Sequence, residues 1–250
     1  MIKPTVWMNP GVVTIYGSSL DATSHSHHAI QVVWPQSNSL CKLNGSDISG
    51  VTIIASKVEH QLEMSAGWVL LIEPKSDLGQ ELFTKLMEQP FKSFNTHFFE
   101  ATKQPMQAED FTNFLTPLFD ELKLTKQFLV FNKSTVKDKR IQKLLSELNQ
   151  CRHGDCIKPN NWRAAEVASQ LALSESRFLH LFSEELGISW RPYLLWRRII
   201  CAVQAIINNS SATDAAYLAG FSDSAHLSRT FRNNFGMTIR QAFTLFKKVS

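Results

Sequence analysis

The chain has 250 residues, 44% of them hydrophobic, with four cysteines and a formal net charge of +4. That length and apolar content leave room for two buried cores, and four cysteines are too few for a disulfide framework. No secretory core follows MIKPTVW and no apolar run approaches the roughly 18 residues a membrane span requires, so the expected location is cytoplasmic, with no membrane association.

The charge is unevenly placed. Residues 1–138 carry 11 Lys+Arg against 14 Asp+Glu, a balance of −3, whereas residues 139–250 carry 15 against 8, a balance of +7. A basic half joined to a mildly acidic one is the electrostatic footprint of a nucleic-acid binder in the C-terminal part.

Residues 11–73 read as short strands, GVVTIYG, AIQVVWP, GVTIIAS and GWVLLIEP, each punctuated by Gly, Pro, Ser or Asn. From Leu78 the pattern turns helical, with helices expected over 78–89, 109–122 and 137–150 and breaks at Gln89-Pro90 and Asn132 to Thr135. In the last of these, RIQKLLSELNQ places Ile141, Leu144, Leu145 and Leu148 on one face, which suits a homodimer contact or docking on the chain's own core. Cys151 and Cys156 flank His153 in CRHGDC; the five-residue step is not C-x-x-C, and the two read as free thiols.

Beyond Asn161, a cap for the next helix, Ala164, Val167, Ala168 and Leu171 form a buried face. Ser174 then caps a helix whose apolar stripe is Phe178, Leu181 and Phe182, with Ser176, Leu179, His180 and Ser183 on the opposite side. Residues 188–208, ISWRPYLLWRRIICAVQAIIN, read as one long helix charged only at Arg191, Arg197 and Arg198. Its span of about 30 Å is close to the roughly 34 Å repeat of DNA. Thr213 to Ala219 follows as a short helix, Gly220 permits a tight reversal, and Ser222 caps a last helix ending at Gly236. Here Leu227, Phe231 and Phe235 form the apolar stripe and Ala225, Ser228, Arg229 and Arg232 point the other way.

One such unit equally describes two ordinary core helices with a solvated outer face. The arrangement, however, occurs twice. Ala168, Leu173 and Ser174 match Ala216, Phe221 and Ser222 at an offset of 48, and Phe178, Phe182 and Gly187 match Leu227, Phe231 and Gly236 at an offset of 49. An outward leucine such as Leu179 suits a thymine methyl, and Ser, His and Arg can bond base edges or phosphates.

The segment from about Trp162 to Ile239 resembles the C-terminal DNA-binding domain of AraC/XylS-type transcription regulators, in which a long helix joins two helix-turn-helix units. The resemblance is carried by LSESRFLHLFSEELGISWRPYLLWRRIICA and ATDAAYLAGFSDSAHLSRTFRNNFGMT, including the Gly220-Phe221 pair and the Arg-x-Phe of Arg229 to Phe231. It departs where the family usually has Pro after the final Thr, since Ile239 follows Thr238. The resemblance implies base contacts from Ser176, Leu179 and His180 in the first unit and from Ser224, Ala225, Ser228 and Arg229 in the second. Arg197, Arg198 and Arg232 are the expected phosphate contacts. Double-stranded DNA and RNA polymerase are the implied partners, with a homodimer as a further assembly.

Strands followed by helices in residues 1–136 resemble the small cupin-like β-barrel and helical connector that many members of this family place first. The expected fold class is therefore α+β, with a sensor or assembly domain over 1–136 and an all-α DNA-binding domain over 137–250. The function implied is a sequence-specific transcription regulator, not an enzyme; the alternative is a metal-dependent cupin-type enzyme with an accessory binding domain. His25, His27 and His28 lie together, and His60 stands beside Glu59. Imidazoles with a carboxylate suit zinc, iron or nickel. The glutamate usual after the histidine pair in cupins is absent, Gln31 and Val32 occupying that neighbourhood, so the expectation is no metal and no cofactor. His27, Trp34 and His60 are expected instead to line a pocket for a small-molecule effector.

Overall fold

The structure, a computed structural model, describes residues 5–9, 12–95, 108–125, 136–150, 162–186, 188–236 and 238–239. The chain divides into two compact units, one of Met1–Lys133 with Arg232–Ser250 and one of Ser134–Phe231. The C-terminal 19 residues group with the first unit.

Among the described residues, the first unit is built on an antiparallel sheet of eight strands: β1 (Thr5–Asn9), β2 (Val12–His25), β3 (Ile30–Pro35), β4 (Cys41–Leu43), β5 (Ser46–Asp47), β6 (Val51–Ile54), β7 (His60–Ile72) and β8 (Phe91–Phe94). The main path runs β1-β2-β7-β3-β6-β8, with β4 paired to β5 and β7, so the curled sheet is a half-barrel. β2 and β7 are its longest members and pair from Val12 opposite Ile72 to His25 opposite His60, with an irregularity between Ala22 and His25. β3 and β6 are buried at every position, the polar Gln31 and Thr52 included.

Two helices supply part of that cover. α1 (Asp77–Leu86) starts where the Ser76 hydroxyl accepts a bond from the Gly79 amide at 3.0 Å, and it buries Leu78, Leu82 and Leu86. α2 (Ala108–Glu121) adds Leu115, Leu118 and Phe119. Both join Val12, Tyr16, Ile30, Val32, Trp34, Trp68, Leu70 and Ile72 in one core.

The second unit is helical: α3 (Lys139–Gln150), α4 (Ala164–Gln170), α5 (Glu175–Leu186), α6 (Trp190–Ile207), α7 (Ala212–Leu218) and α8 (Ser224–Phe235), whose last four residues are grouped with the first unit. Its largest buried group is Trp190, ringed by Phe178, Phe182 and Tyr193 with ring centroids 4.9 to 6.5 Å away, and its Nε1–H donates to the Trp162 carbonyl at 3.1 Å. The apolar face of α3, Ile141, Leu144 and Leu148, is buried in this same core. Of the two uses the sequence left open for that face, docking on the chain's own core is the one observed.

The two helix-turn-helix units share a detail that sequence matching did not bring out. The Leu173 amide donates to the Ala168 carbonyl at 2.9 Å, and the Phe221 amide donates to the Ala216 carbonyl at 2.8 Å, at the same offset of 48. Both turns carry a left-handed residue just before that donor, Ala172 (φ 54°) in the first and Gly220 (φ 82°) in the second. This is the six-residue closure by which helices commonly end.

Two capping assignments differ from expectation. α8 is capped by Asp223, whose Oδ1 accepts the His226 amide at 2.6 Å, and Ser222 instead donates to the Asp223 carboxylate at 3.1 Å. Asp at this position both accepts the bond and sits favourably at the positive helix end, so it displaces the serine one residue earlier. At α4 the cap position is Arg163, which makes no side-chain capping bond; Asn161 lies outside the described residues. The Ser174 hydroxyl does accept from the Arg177 amide at the start of α5, at 3.3 Å.

Candidate nucleic-acid interface

Helix α5 is rotationally fixed by Phe178, Leu181, Phe182 and Leu186, all buried. One hundred degrees per residue then turns Ser176, Leu179 and His180 outward, and all three are exposed. Leu179 is 36% exposed, enough to offer an apolar contact to an incoming surface. His180 faces the Glu184 carboxylate one turn on, at 3.6 Å, with both side chains mostly in solvent.

Beside Leu179 lies an open groove of about 1100 Å³ lined also by Trp162, Arg163, Arg191, Leu195 and Arg198. Three arginines line this groove against one acidic residue, Glu175. Arg163 is the member that sequence reasoning missed; it precedes α4 and no periodic pattern marks it. A cationic rim next to an outward helix suits a phosphate backbone.

In α8, Leu227, Thr230 and Phe231 are buried. Ala225, Arg229 and Arg232 are exposed, and Ser224 and Ser228 are half-buried at the margin of the same face. The Asp223 carboxyl at the head of the helix is held below the usual carboxylate range, chiefly by the bond from the His226 amide, with the Arg229 charge contributing. His226 lies edge-on to Phe221 with ring centroids 5.3 Å apart, and its Nδ1 is 3.1 Å from the Ser222 hydroxyl.

Of the three arginines expected on phosphates, Arg198 lines the groove and Arg232 is exposed. Arg197 is placed differently, since its guanidinium donates to the Leu148 carbonyl near the end of α3. That bond ties α6 to α3 and gives Arg197 a structural duty the local sequence could not announce.

The histidines separate from Trp34. His25, His27 and His60 are all buried and come together, whereas Trp34 belongs to the core cluster with Tyr16 and Trp68. Burial pushes His25 and His27 down to about 4 and also lowers His60, so the three imidazoles are neutral at pH 7. His28 lies apart, with Nε2 3.2 Å from the Glu73 carboxylate.

Cys41 is a free buried thiol whose pKa burial pushes up to about 12. Cys201 on α6 is disulfide-bonded. Cys151, His153 and Cys156 lie outside the described residues.

Residues 167–244 match the sequence profile of a helix-turn-helix domain family. That segment takes in α5 through α8. Over 82, 80 and 81 residues the chain is 34% identical to the virulence regulon transcriptional activator VirF of Yersinia enterocolitica, 31% to the transcriptional regulator ExsA of Pseudomonas aeruginosa and 36% to the transcriptional activator RhaS of Escherichia coli. Each alignment covers 32% of this chain but only 30%, 29% and 28% of those proteins. The fold is similar along 96% of the chain to 99% of an apo form of ToxT from Vibrio cholerae, with a TM-score of 0.53 at 14% identity. No described helix is long and apolar enough to cross a membrane.

Proposed function

We propose that the chain is a sequence-specific DNA-binding transcription regulator that reads two successive major grooves, one with α5 and one with α8. The observation that carries this reading is the duplicated unit: two capped helices, each held by a buried apolar stripe, each turning a polar face of the expected residues to solvent. Ser176, Leu179 and His180 contact bases in one groove, and Ser224, Ala225, Ser228 and Arg229 contact them in the next. Arg198, Arg232 and the groove arginines Arg163 and Arg191 hold phosphates. Arg197 acts chiefly as the brace between α6 and α3.

The half-barrel unit modulates this activity in response to a small molecule, and RNA polymerase is the downstream partner. A protein of this kind works where the chromosome is, in the cytoplasm, and performs no catalysis of its own. The assignment of Trp34 to the effector site is dropped from the proposal, because its ring is part of the packed core.

The 18 residues of α6 span about 27 Å at 1.5 Å each, close to one turn of DNA at roughly 34 Å. Sites selected from a random DNA pool by the full chain should therefore be non-palindromic, with two blocks about 10 to 10.5 bp apart on one face. Inserting 5 bp between the blocks turns one groove away and should abolish specific binding. Equal affinity for the inserted site would leave a single reader, and α5 with Leu179 and His180 would be that reader.

A further inference from the structure

Where β2 ends and β7 begins, His25 and His60 stand as direct cross-strand partners, with ring centroids 4.5 Å apart. His27, two residues beyond β2, closes the triangle at 5.7 Å from His25 and 5.4 Å from His60. One ring nitrogen from each can be chosen so that all three lie within 4.8 Å of one another. Exposure is only 8%, 5% and 2% for His25, His27 and His60, so the cluster is buried.

The orientation of the rings is fixed by the backbone. His25 Nδ1 is 2.8 Å from the Thr23 carbonyl, His27 Nδ1 3.1 Å from that of Ala29, and His60 Nδ1 2.9 Å from that of Val58. A carbonyl only accepts, so Nδ1 of His25 and His60 carries the proton and their Nε2 keeps its lone pair, whereas both ring nitrogens of His27 face carbonyl oxygens, Nε2 that of Gln31, which a metal on His27 displaces. Holding a ligating imidazole through its other nitrogen is how metal sites set tautomer and aim. His60 Nε2 is buried with no hydrogen-bond partner, which is unfavourable for a polar atom with no other purpose. Gln31 reaches the same spot, its side-chain amide 2.8 Å from His27 Nε2.

We propose that His25, His27 and His60 bind a divalent transition metal through their Nε2 atoms, with Gln31 beside the fourth position. A tetrahedral ion with bonds of about 2.0 to 2.1 Å separates its nitrogens by about 3.4 Å, against a spread of at most 4.8 Å for one ring nitrogen from each histidine here. Three neutral imidazoles suit zinc, nickel, iron or copper and exclude the oxygen-seeking magnesium and calcium. The nearest carboxylate in sequence, Glu59, is turned outward to accept from the Ser24 hydroxyl at 2.8 Å. With no anionic ligand the bound ion keeps its full positive charge, and the open position favours an anionic ligand such as a carboxylate. This departs from the expectation of no metal, which rested on the missing glutamate.

Also within the first unit, the end of α8 borders the cluster. The Phe235 ring lies 6.4 Å from His27, and the Gly236 carbonyl accepts from the Thr23 amide at 3.0 Å and from its hydroxyl at 2.7 Å. A side chain at Gly236 would run into the Thr23 backbone and His25 Nδ1 at 2.2 to 2.9 Å.

The test is zinc titration of the full chain, stripped with a chelator, against a chromophoric competitor. One zinc per chain is expected, with a rise in unfolding temperature as zinc is added. His27→Ala and His60→Ala should each weaken binding at least tenfold, while His28→Ala should not. Because a cavity at a buried ring can impair folding, nitrogen-15 shifts of the wild-type imidazoles provide a second readout: Nε2 of all three should move and Nδ1 should stay protonated. Absence of binding at micromolar zinc, undiminished binding in both alanine variants, or ligation through Nδ1 would each overturn the proposal.

Discussion

Replacing Arg229 by alanine separates a base reader from a phosphate clamp. The side chain is exposed on α8, and the buried Leu227 and Phe231 fix which way that helix faces. Its visible partner in the free protein is the charge of Asp223 at the helix head, an exposed pairing that contributes little to stability. The substitution should therefore leave unfolding unchanged within about 0.5 kcal/mol. Loss of a bidentate contact to guanine costs about 1 to 3 kcal/mol, or roughly 5- to 150-fold in affinity. The assay is equilibrium binding of the full chain to its selected site and to every single-base variant of it, at several salt concentrations. Discrimination should collapse at one base pair in the block read by α8 and persist elsewhere. Arg232→Ala provides the contrast: affinity should fall evenly over all sequences, and the slope of log K against log salt should flatten by about 0.9. If Arg229→Ala instead gives the even loss and the flatter slope, Arg229 holds a phosphate and the reader assignment in α8 is wrong.

Exchanging the turn residues should produce opposite effects on stability. Ala172 sits at φ 54°, where a side chain costs about 1 to 2 kcal/mol and glycine's extra freedom when unfolded returns part of that, so Ala172→Gly should stabilise by about 0.5 to 1 kcal/mol in urea unfolding. Gly220→Ala, at φ 82°, should destabilise by about 1 kcal/mol or more, and a loss in both variants would show that φ is not the controlling factor. Leu179→Ala should weaken specific binding several-fold with no change in unfolding temperature, because the side chain is partly exposed; a large stability loss would make it a core residue. Asp223 has a depressed pKa in the folded chain, so its contribution is present above the unfolded carboxylate value of about 3.9 and is lost as pH falls through the folded value. The stability gap between wild type and Asp223→Asn should shrink over that acid window, and a gap constant with pH would remove the charged cap from the account.

The helices of the second unit were legible because each carries its evidence locally. A 3.6-residue stripe ending in polar caps located α5, α6 and α8 within a few residues and assigned the outward faces, since rotation about a helix is fixed once its buried stripe is known. Single interactions across the chain were not legible. Nothing near Arg197 indicates that its partner is a carbonyl 49 residues earlier, and nothing in ISWRPYLLW distinguishes the groove-lining Arg191 and Arg198 from it. The strands were harder still. β4 and β5 have three and two residues, too few to display alternation, and β8 follows Pro90 directly.

The most consequential misreading concerns two glycines. Gly17 and Gly67 were read as strand ends, because glycine usually punctuates. In the sheet they face each other as partners, and both strands continue past them, β2 to His25 and β7 back to His60. Gly67 is there because β3 passes so close that a Cβ would meet the Trp34 carbonyl at 2.5 Å and the Pro35 backbone at 2.8 Å. A glycine that admits a neighbouring chain leaves the ladder intact, whereas one that turns the chain ends it, and the sequence looks the same in both cases. Once the strands run through, register alone sets His25 opposite His60, and the short segment to β3 brings in His27. The histidine cluster is thus a product of long-range pairing, visible only after the two glycines are assigned to packing and not to turns.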